Sequence, residues 1–334
     1  MMKLGRSRAI LPVAVVAGLL LTGCASGGGK APAETAAESP GTFPQTVSTA
    51  FGDVTIDAAP QRVVALGWSD AETALALGVQ PVGASDWIEA GGDEGVGPWA
   101  AGLYDQAPEL IETLEPSYEM IAALEPDLIL DVKGSGDPDR YERLSEIATT
   151  VGVPEGGESY LTTVEEQVGT IATALGVPER GDELLAEVDA AFDTVAKEHP
   201  DWQGRTVSSV AKTSEGWGAY LEGGGRLELL NRLGFEQNPE IAAAPANSGG
   251  FSVDVSGENL GLIDADLIVA SPIYLDTTAI TDDPQWKQLP AVEDGRAIVL
   301  EGEVAKAFSA NSPLASIYVA EQLTPMIEDA LPAD

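Results

Sequence analysis

The chain has 334 residues with 17 Lys and Arg, 54 Asp and Glu, one His and one Cys, for a formal charge of −37. Its length exceeds one typical domain and predicts two lobes with sizeable cores, and a hydrophobic share of 44% excludes a mainly disordered chain. The acid excess excludes a basic surface for nucleic acid or anionic headgroups, while the single Cys and single His exclude an internal disulfide, a multi-thiolate metal site and a multi-histidine one.

Lys3, Arg6 and Arg8 precede an apolar run from Ala9 to Leu21, short for a membrane span and long enough for the core of a signal peptide over residues 1–23. The run ends in Leu21-Thr22-Gly23-Cys24, which resembles the lipobox of bacterial lipoproteins, where small residues precede a Cys that is diacylated and becomes the new N-terminus. That resemblance implies export and a lipid anchor at Cys24 on the outer face of the cell membrane; the plainer alternative is a secretory signal with a chance Cys. Acyl chains gain about 0.8 kcal/mol per buried CH₂, so two or more hold firmly. Residues 24–45, rich in Gly, Ala, Ser and Pro without hydrophobic period, read as a flexible tether with a reach of roughly 25 Å.

From Thr46 the pattern becomes ordered. Alternation in TVSTAFGDVTI predicts a hairpin turning at Phe51-Gly52-Asp53. Short apolar strands at 63–66, 80–84 and 127–132 alternate with helices at 70–78, 118–125, 137–150 and 162–176, a grammar that predicts a parallel sheet covered on both faces over residues 46–177. Residues 178–200 carry Leu184, Leu185, Val188, Ala191, Phe192 and Val195 on one helical face and predict a single long connecting helix. Residues 201–334 repeat the grammar, with strands at 205–211, 266–270 and 296–300, a helix at 226–234 and a last helix over 312–331 that Pro325 is expected to kink.

An internal echo links the halves. Ser117, Glu119, Ile121, Leu124 and Asp127 recur at equal spacing as Ser256, Glu258, Leu260, Ile263 and Asp266. A Ser cap and a first-turn Glu suit a helix start, so two ordinary capped helices account for the pattern as well as two similar lobes do.

The stretches 59–87, 117–130, 165–188, 256–270 and 289–323, taken in order and with the lipobox, resemble the siderophore-binding family of ABC-transporter substrate-binding lipoproteins. The resemblance covers most of residues 55–325. It implies an α/β fold of two lobes, each with a mainly parallel sheet flanked by helices, joined by one rigid helix with the ligand cleft between them. It also implies a ferric siderophore as ligand, cobalamin being the alternative, iron carried only within that ligand and no cofactor. Small lobe movements, no catalysis, an ABC permease dimer as partner, no nucleic acid and a monomeric chain are expected. A lipoprotein hydrolase acting on a siderophore is the competing reading from another class.

Ligands of open α/β sheets bind beyond the carboxyl ends of the strands. That rule points to Trp68, Trp87 and Lys133 in the first lobe and to Lys212 and Tyr274 in the second, with Phe308 in the 301–311 loop. Tyr104, Trp217 and Tyr220 lie in neighbouring segments that read as irregular. Aromatic side chains there would cover a bulky chelate, or merely cap their own lobes. Lys133 and Lys212 would attract an anionic ferric complex across the cleft, whereas a neutral hydroxamate would need aromatics and hydrogen bonds. The resemblance implies that many relatives hold the iron-coordinating oxygens with Arg or Tyr in the N-terminal lobe, in hydroxamate binders an Arg near the position of Thr113 or in the loop after Val132; here the nearest cations are Lys133 and Arg140, so the siderophore class stays open. The resemblance further implies that Glu119 and Glu258 dock against Arg pockets of the permease, one per lobe; the plainer reading is that they serve their own helix dipoles. His199, beside Pro200 at the end of the connecting helix, reads as an exposed helix-end residue without an acid partner, and Gly223-Gly224-Gly225 lacks the Lys-Ser/Thr of a phosphate loop.

Overall fold

The computed structural model describes residues 41–86, 94–157 and 159–332; Cys24, most of the tether and Trp87 lie outside them. The first described strands form the hairpin β1 (Gln45–Thr49) and β2 (Gly52–Ile56), which turns one residue earlier than expected, at Ala50-Phe51. Five three-residue strands follow: β3 (Val63–Ala65), β4 (Gly83–Ser85), β5 (Glu109–Ile111), β6 (Leu128–Leu130) and β7 (Thr149–Val151). They form a parallel sheet in the order β5-β4-β3-β6-β7.

The near-continuous apolar character of these strands has a simple cause. Val63, Ala65, Leu128 and Leu130 point to one face, against α1 (Asp70–Ala76) and α4 (Val164–Leu175). Val64, Leu66 and Ile129 point to the other, with Ile121 of α2 (Tyr118–Ala123) and Leu144 of α3 (Pro138–Ser145). Both faces are covered, so neither can be polar. A capping box starts α4: Thr163 accepts from the Glu166 amide and Glu166 accepts from the Thr163 amide, and Gly176 ends the helix in the left-handed region.

The 21-residue α5 (Pro178–Glu198), about 31 Å long, carries the chain onward. Its Leu184 belongs to the core of the first lobe, while Val188 and Phe192 belong to that of the second. One turn of helix therefore separates two cores that share its apolar face, which makes α5 a strut rather than a hinge.

The second lobe is built on β8 (Thr206–Thr213), β9 (Gly216–Tyr220), β10 (Glu236–Gln237), β11 (Ser252–Val255), β12 (Leu267–Pro272) and β13 (Ala297–Val299). The order β11-β9-β8-β12-β13 is mixed: β8, β12 and β13 run parallel, β8–β9 and β9–β11 antiparallel, and β10 adds to the start of β8. The segment holding Trp217 and Tyr220, read from sequence as irregular, is thus strand β9. On one face lie α6 (Gly225–Arg232), and later α10 (Gly302–Ala310) and α11 (Pro313–Ala330), with Leu227, Leu230, Phe308, Val319 and Leu323 in the core. The short α7 (Pro239–Ala242), α8 (Thr278–Thr281) and α9 (Pro290–Glu293) cover the other with Ile241, Ile280 and Ala291. Helix α11 continues through Pro325 to Ala330.

The internal echo has a structural basis. Asp127, just before β6, accepts from the amides of Gln61 and Arg62 at 2.8 and 3.0 Å, tying β6 to the start of β3. Asp266, just before β12, accepts from the Thr206 amide at 2.8 Å, tying β12 to the start of β8. Each Asp joins the two central strands of its own sheet.

Candidate functional site

In the first sheet the chain runs outward from β3 in one direction and returns to β6 for the other, so the topological switch point lies at the carboxyl ends of these neighbours. Trp68 and Lys133 stand there, and the Trp68 amide donates to the Lys133 carbonyl at 2.9 Å. Asp70, wholly buried below them, accepts from the Val132 amide at 2.8 Å and from Gln167 Nε2 at 2.6 Å; burial raises its pKa to about 7. The loop is fixed from beneath.

The same loop reaches across to the second lobe. Trp68 Nε1 donates to the Ser309 carbonyl at 3.2 Å and Ser69 Oγ to the Ala310 carbonyl at 2.9 Å. Buried Glu72 accepts from the Gly97 amide at 3.0 Å, Trp99 Nε1 at 2.9 Å and the hydroxyl of Ser312, with burial pushing its carboxyl up in pKa. Trp99 meets Tyr318 of α11 at 5.6 Å between ring centroids. These bonds close the cleft on one side and leave a cavity of about 360 Å³ on the other.

Both lobes line that cavity. Trp68, Leu114, Lys133, Tyr160 and Leu161 come from the first. Tyr220, Arg226, Phe251, Ser309 and Asn311 come from the second. Tyr220 and Phe251 stack at 6.4 Å, and the Arg226 guanidinium lies 4.8 Å over the Tyr220 ring while bonding the Ser309 hydroxyl. Asn311 ends α10 in the left-handed region, a conformation Asn tolerates. A Cβ on Gly225 would fall 1.9 Å from its amide nitrogen, so only Gly lets α6 begin so close. Neither Asn311 Nδ2 nor Arg226 Nε has a hydrogen-bond partner among the described residues. Burial lowers the Lys133 pKa to about 8, with Glu228 pulling it back up.

Of the residues nominated from sequence, the cavity thus gathers Trp68, Lys133 and Tyr220. It does not gather Tyr104, Arg140, Lys212, Trp217, Tyr274 or Phe308. Tyr104 is buried in the first lobe beside Leu75, Val96 and Ala100. Arg140 grips Asp131 with two bonds of 3.0 and 2.8 Å and donates to the Thr113 carbonyl, so its charge is spent on the end of β6. Lys212 is paired with Asp283 and lies over Trp217, which stacks on Trp286 at 5.5 Å. Tyr274 stands 73% exposed beyond β12, and Phe308 faces inward from α10 at 1% exposure. Trp87 lies outside the described residues. Glu119 and Glu258 are both exposed, the first in the opening turn of α2, the second in a 3-10 stretch, Gly257–Ile263. A groove beside Glu119 is walled by Leu114, Pro116, Tyr118, Asp137 and Arg143. His199 is stacked on Trp202 at 3.9 Å and approaches Glu328 at 3.3 Å, more enclosed than its helix-end position implied.

Sequence reasoning missed Leu114, Tyr160, Leu161, Arg226 and Phe251; within the nominated 301–311 segment it singled out Phe308 rather than the lining residues Ser309 and Asn311, because the segment is the helix α10 and not a loop. Arg226 was within reach: it follows the Gly-rich turn at 223–225 at the start of a helix, a place where a ligand meets a helix N-terminus. Tyr160 and Phe251 sit in loops without periodicity and carry no such signal.

Two α/β lobes on one long helix, enclosing an aromatic cavity, define a two-lobed solute-binding protein. The family described as periplasmic binding protein matches residues 63–304, and the chain belongs to it. It is similar to the probable siderophore-binding lipoprotein YfiY of Bacillus subtilis (strain 168), at 29% identity over 86% of this chain and 88% of that protein. The Fe(3+)-citrate-binding protein YfmC of the same organism is 26% identical over 86% of this chain and 87% of its own length. Among solved structures, a periplasmic solute binding protein from Mycobacterium smegmatis str. MC2 155 superposes with a TM-score of 0.74 at 32% identity, over 85% of this chain and 97% of that one.

Proposed function

We propose that the protein is an exported, lipid-anchored receptor that binds a ferric siderophore in the interlobe cavity and delivers it to an ABC importer. The observation that carries this reading is the cavity itself: aromatic rings and unpaired donors from both lobes converge on one space, as recognition of a bulky polar chelate requires. The names of the two Bacillus relatives support an iron chelate over other solutes. On this reading the iron travels inside its chelator, as the names of the siderophore- and citrate-binding relatives suggest. The anchor is assigned to lipid on Cys24 from the lipobox-like Leu21-Thr22-Gly23-Cys24 and the lipoprotein name of the YfiY relative. The role is binding without turnover. Glu119 and Glu258 would present one carboxylate per lobe to the permease, steering and orienting the complex.

Trp68 provides the test. Titration with ferric siderophores and with cobalamin, read by tryptophan fluorescence, is expected to quench with iron chelates and to lose most of the signal in Trp68→Phe. Chromatography of the bound chelate should return it intact. Quenching by cobalamin alone would make the protein a cobalamin receptor, and recovery of cleaved siderophore would make it a hydrolase.

A further inference from the structure

In a chain with 54 acidic residues, the described lining of the cavity contains none, and two of the 17 cations stand there, one from each lobe. Lys133 is 94% buried by its 6% exposure, and neither it nor Arg226 lies within ion-pair distance of a carboxylate among the described residues. Elsewhere the enclosed cations are matched: Arg140 with Asp131, Lys212 with Asp283, Arg232 with Glu165 and Asp189. Burying a cation without its counter-charge is costly, and a folded protein tolerates it where a ligand supplies the missing anion. Three nitrogen groups of the lining residues make no hydrogen bond among the described residues. The Lys133 ammonium, Arg226 Nε and Asn311 Nδ2 are all donors, and α6 turns the positive end of its dipole toward them.

Resting on the reading of this cavity as a siderophore site, we infer that it selects ferric chelates of net negative charge, with Lys133 and Arg226 as its specificity-determining residues. A neutral ferric trihydroxamate would cover the rings of Trp68, Tyr220 and Phe251 yet leave both charges desolvated and unanswered. An anionic carboxylate or catecholate chelate fills the same volume and answers both. Glu228, two residues beyond Arg226 on α6, is the carboxylate that acts most on Lys133, without forming an ion pair. An anionic chelate is expected to take over that role.

The experiment uses the full chain in detergent, titrated by fluorescence with three iron chelates: a trianionic tricatecholate, ferric citrate and an uncharged trihydroxamate. At least one anionic chelate is expected to bind about tenfold or more tightly than the neutral one, and the ratio between the two anionic arms identifies the chelating group. Arg226→Gln and Lys133→Gln should each weaken the anionic chelate by about ten- to hundredfold and the neutral one by about tenfold less than that. Arg226→Lys should recover part of the loss. Arg226 is only partly buried, so R226Q keeps the test decisive should K133Q fail to fold. Equal or tighter binding of the neutral chelate, or equal losses for both classes in the folded variants, overturns the charge inference while the siderophore receptor stands. Failure of all three chelates to bind overturns the receptor reading together with it.

Discussion

At the carboxyl ends of β3 and β6 the first lobe turns Trp68 and Lys133 into the cavity; at the matching ends of β8 and β12 the second lobe holds Lys212 on Asp283 and leaves Tyr274 in solvent. Both sheets have their central parallel pair at a switch point, yet only one uses it for the cavity. The difference follows from connectivity. In the first lobe β3 leads into α1 through Trp68 and Ser69, and the loop stays at the sheet's end. In the second, β8 turns straight back as β9, so Lys212 is spent on an antiparallel hairpin, where it pairs with Trp217 by register. The lobe's contribution shifts to Tyr220 at the end of β9, to Arg226 at the start of α6, and to the α10–α11 junction. Equivalent switch points therefore do not give equivalent chemistry when the connections that leave them differ.

The sharpest way to break this comparison is through Phe308, which shares its helix with the cavity residue Ser309 but packs into the core of the second lobe. Phe308→Ala should destabilise the protein by about 3–5 kcal/mol, as removal of a wholly buried aromatic does, and calorimetric melting should show it. Folded protein at low temperature should still quench with ligand. Loss of quenching at unchanged stability would return Phe308 to the site and cancel the inward assignment.

Next in size is the pH response of Lys133. Its pKa falls from 10.5 unfolded to about 8 folded, so the unfolded chain binds more protons between these values. The penalty of burying the ammonium is complete below pH 8 and fades as pH rises toward 10.5. It amounts to roughly 3 kcal/mol at most. The charges acting on Lys133 are Glu228, Asp70 and Glu165, which favour its protonation, and Arg226, which opposes it. Lys133→Met should exceed wild type in denaturant stability below pH 8, and the gap should close by pH 10.5. A constant gap would mean that Lys133 keeps its proton throughout.

Lys212 is the control. Lys212→Met alone leaves Asp283 unpaired and should cost about 1–3 kcal/mol. Lys212→Met with Asp283→Asn should return to within about 1 kcal/mol of wild type, since a pair removed whole leaves no orphaned charge and Asn still accepts from the Gln285 amide. Ligand quenching should be unchanged in both. A tenfold loss of affinity in the double variant would place Lys212 in the ligand's field after all.

What was legible in the sequence divides along the same line. The parallel sheet of the first lobe, its caps and the helix α5 were readable because apolar runs, Gly stops and a 3.6-residue stripe are local signals. Trp68 and Lys133 followed from a topological rule that needs only the strand order. The β9 strand was not legible: GWGAY carries two glycines, and its strand character comes from pairing with β8 and β11 rather than from propensity. Arg140 and Lys212 looked like free cleft cations because sequence does not show that Asp131, nine positions earlier, and Asp283, 71 positions later, fold onto them. Phe251 reaches the cavity only through tertiary folding, which no short window encodes.

The smallest expected effect separates the lobes at their outer ends. Glu119 lies in the first turn of a true α-helix whose cap, Ser117, accepts from the Met120 amide at 3.4 Å, so Glu119→Ala should cost about 0.3–1 kcal/mol through the helix dipole. Glu258 opens a 3-10 stretch in which Asn259 breaks the regular backbone at φ −105° and Ser256 makes no side-chain cap. Its dipole is weak, and Glu258→Ala should cost less than about 0.3 kcal/mol. If both carboxylates dock on the permease, the two variants should nonetheless impair siderophore uptake to similar degrees, the double variant should abolish it, and ligand quenching should stay intact in all three. Unequal stability costs with equal transport defects are what docking demands, because the permease reads the charge and not the helix beneath it. Transport defects that instead scale with the melting temperatures would assign both residues to the fold and remove them from the docking surface.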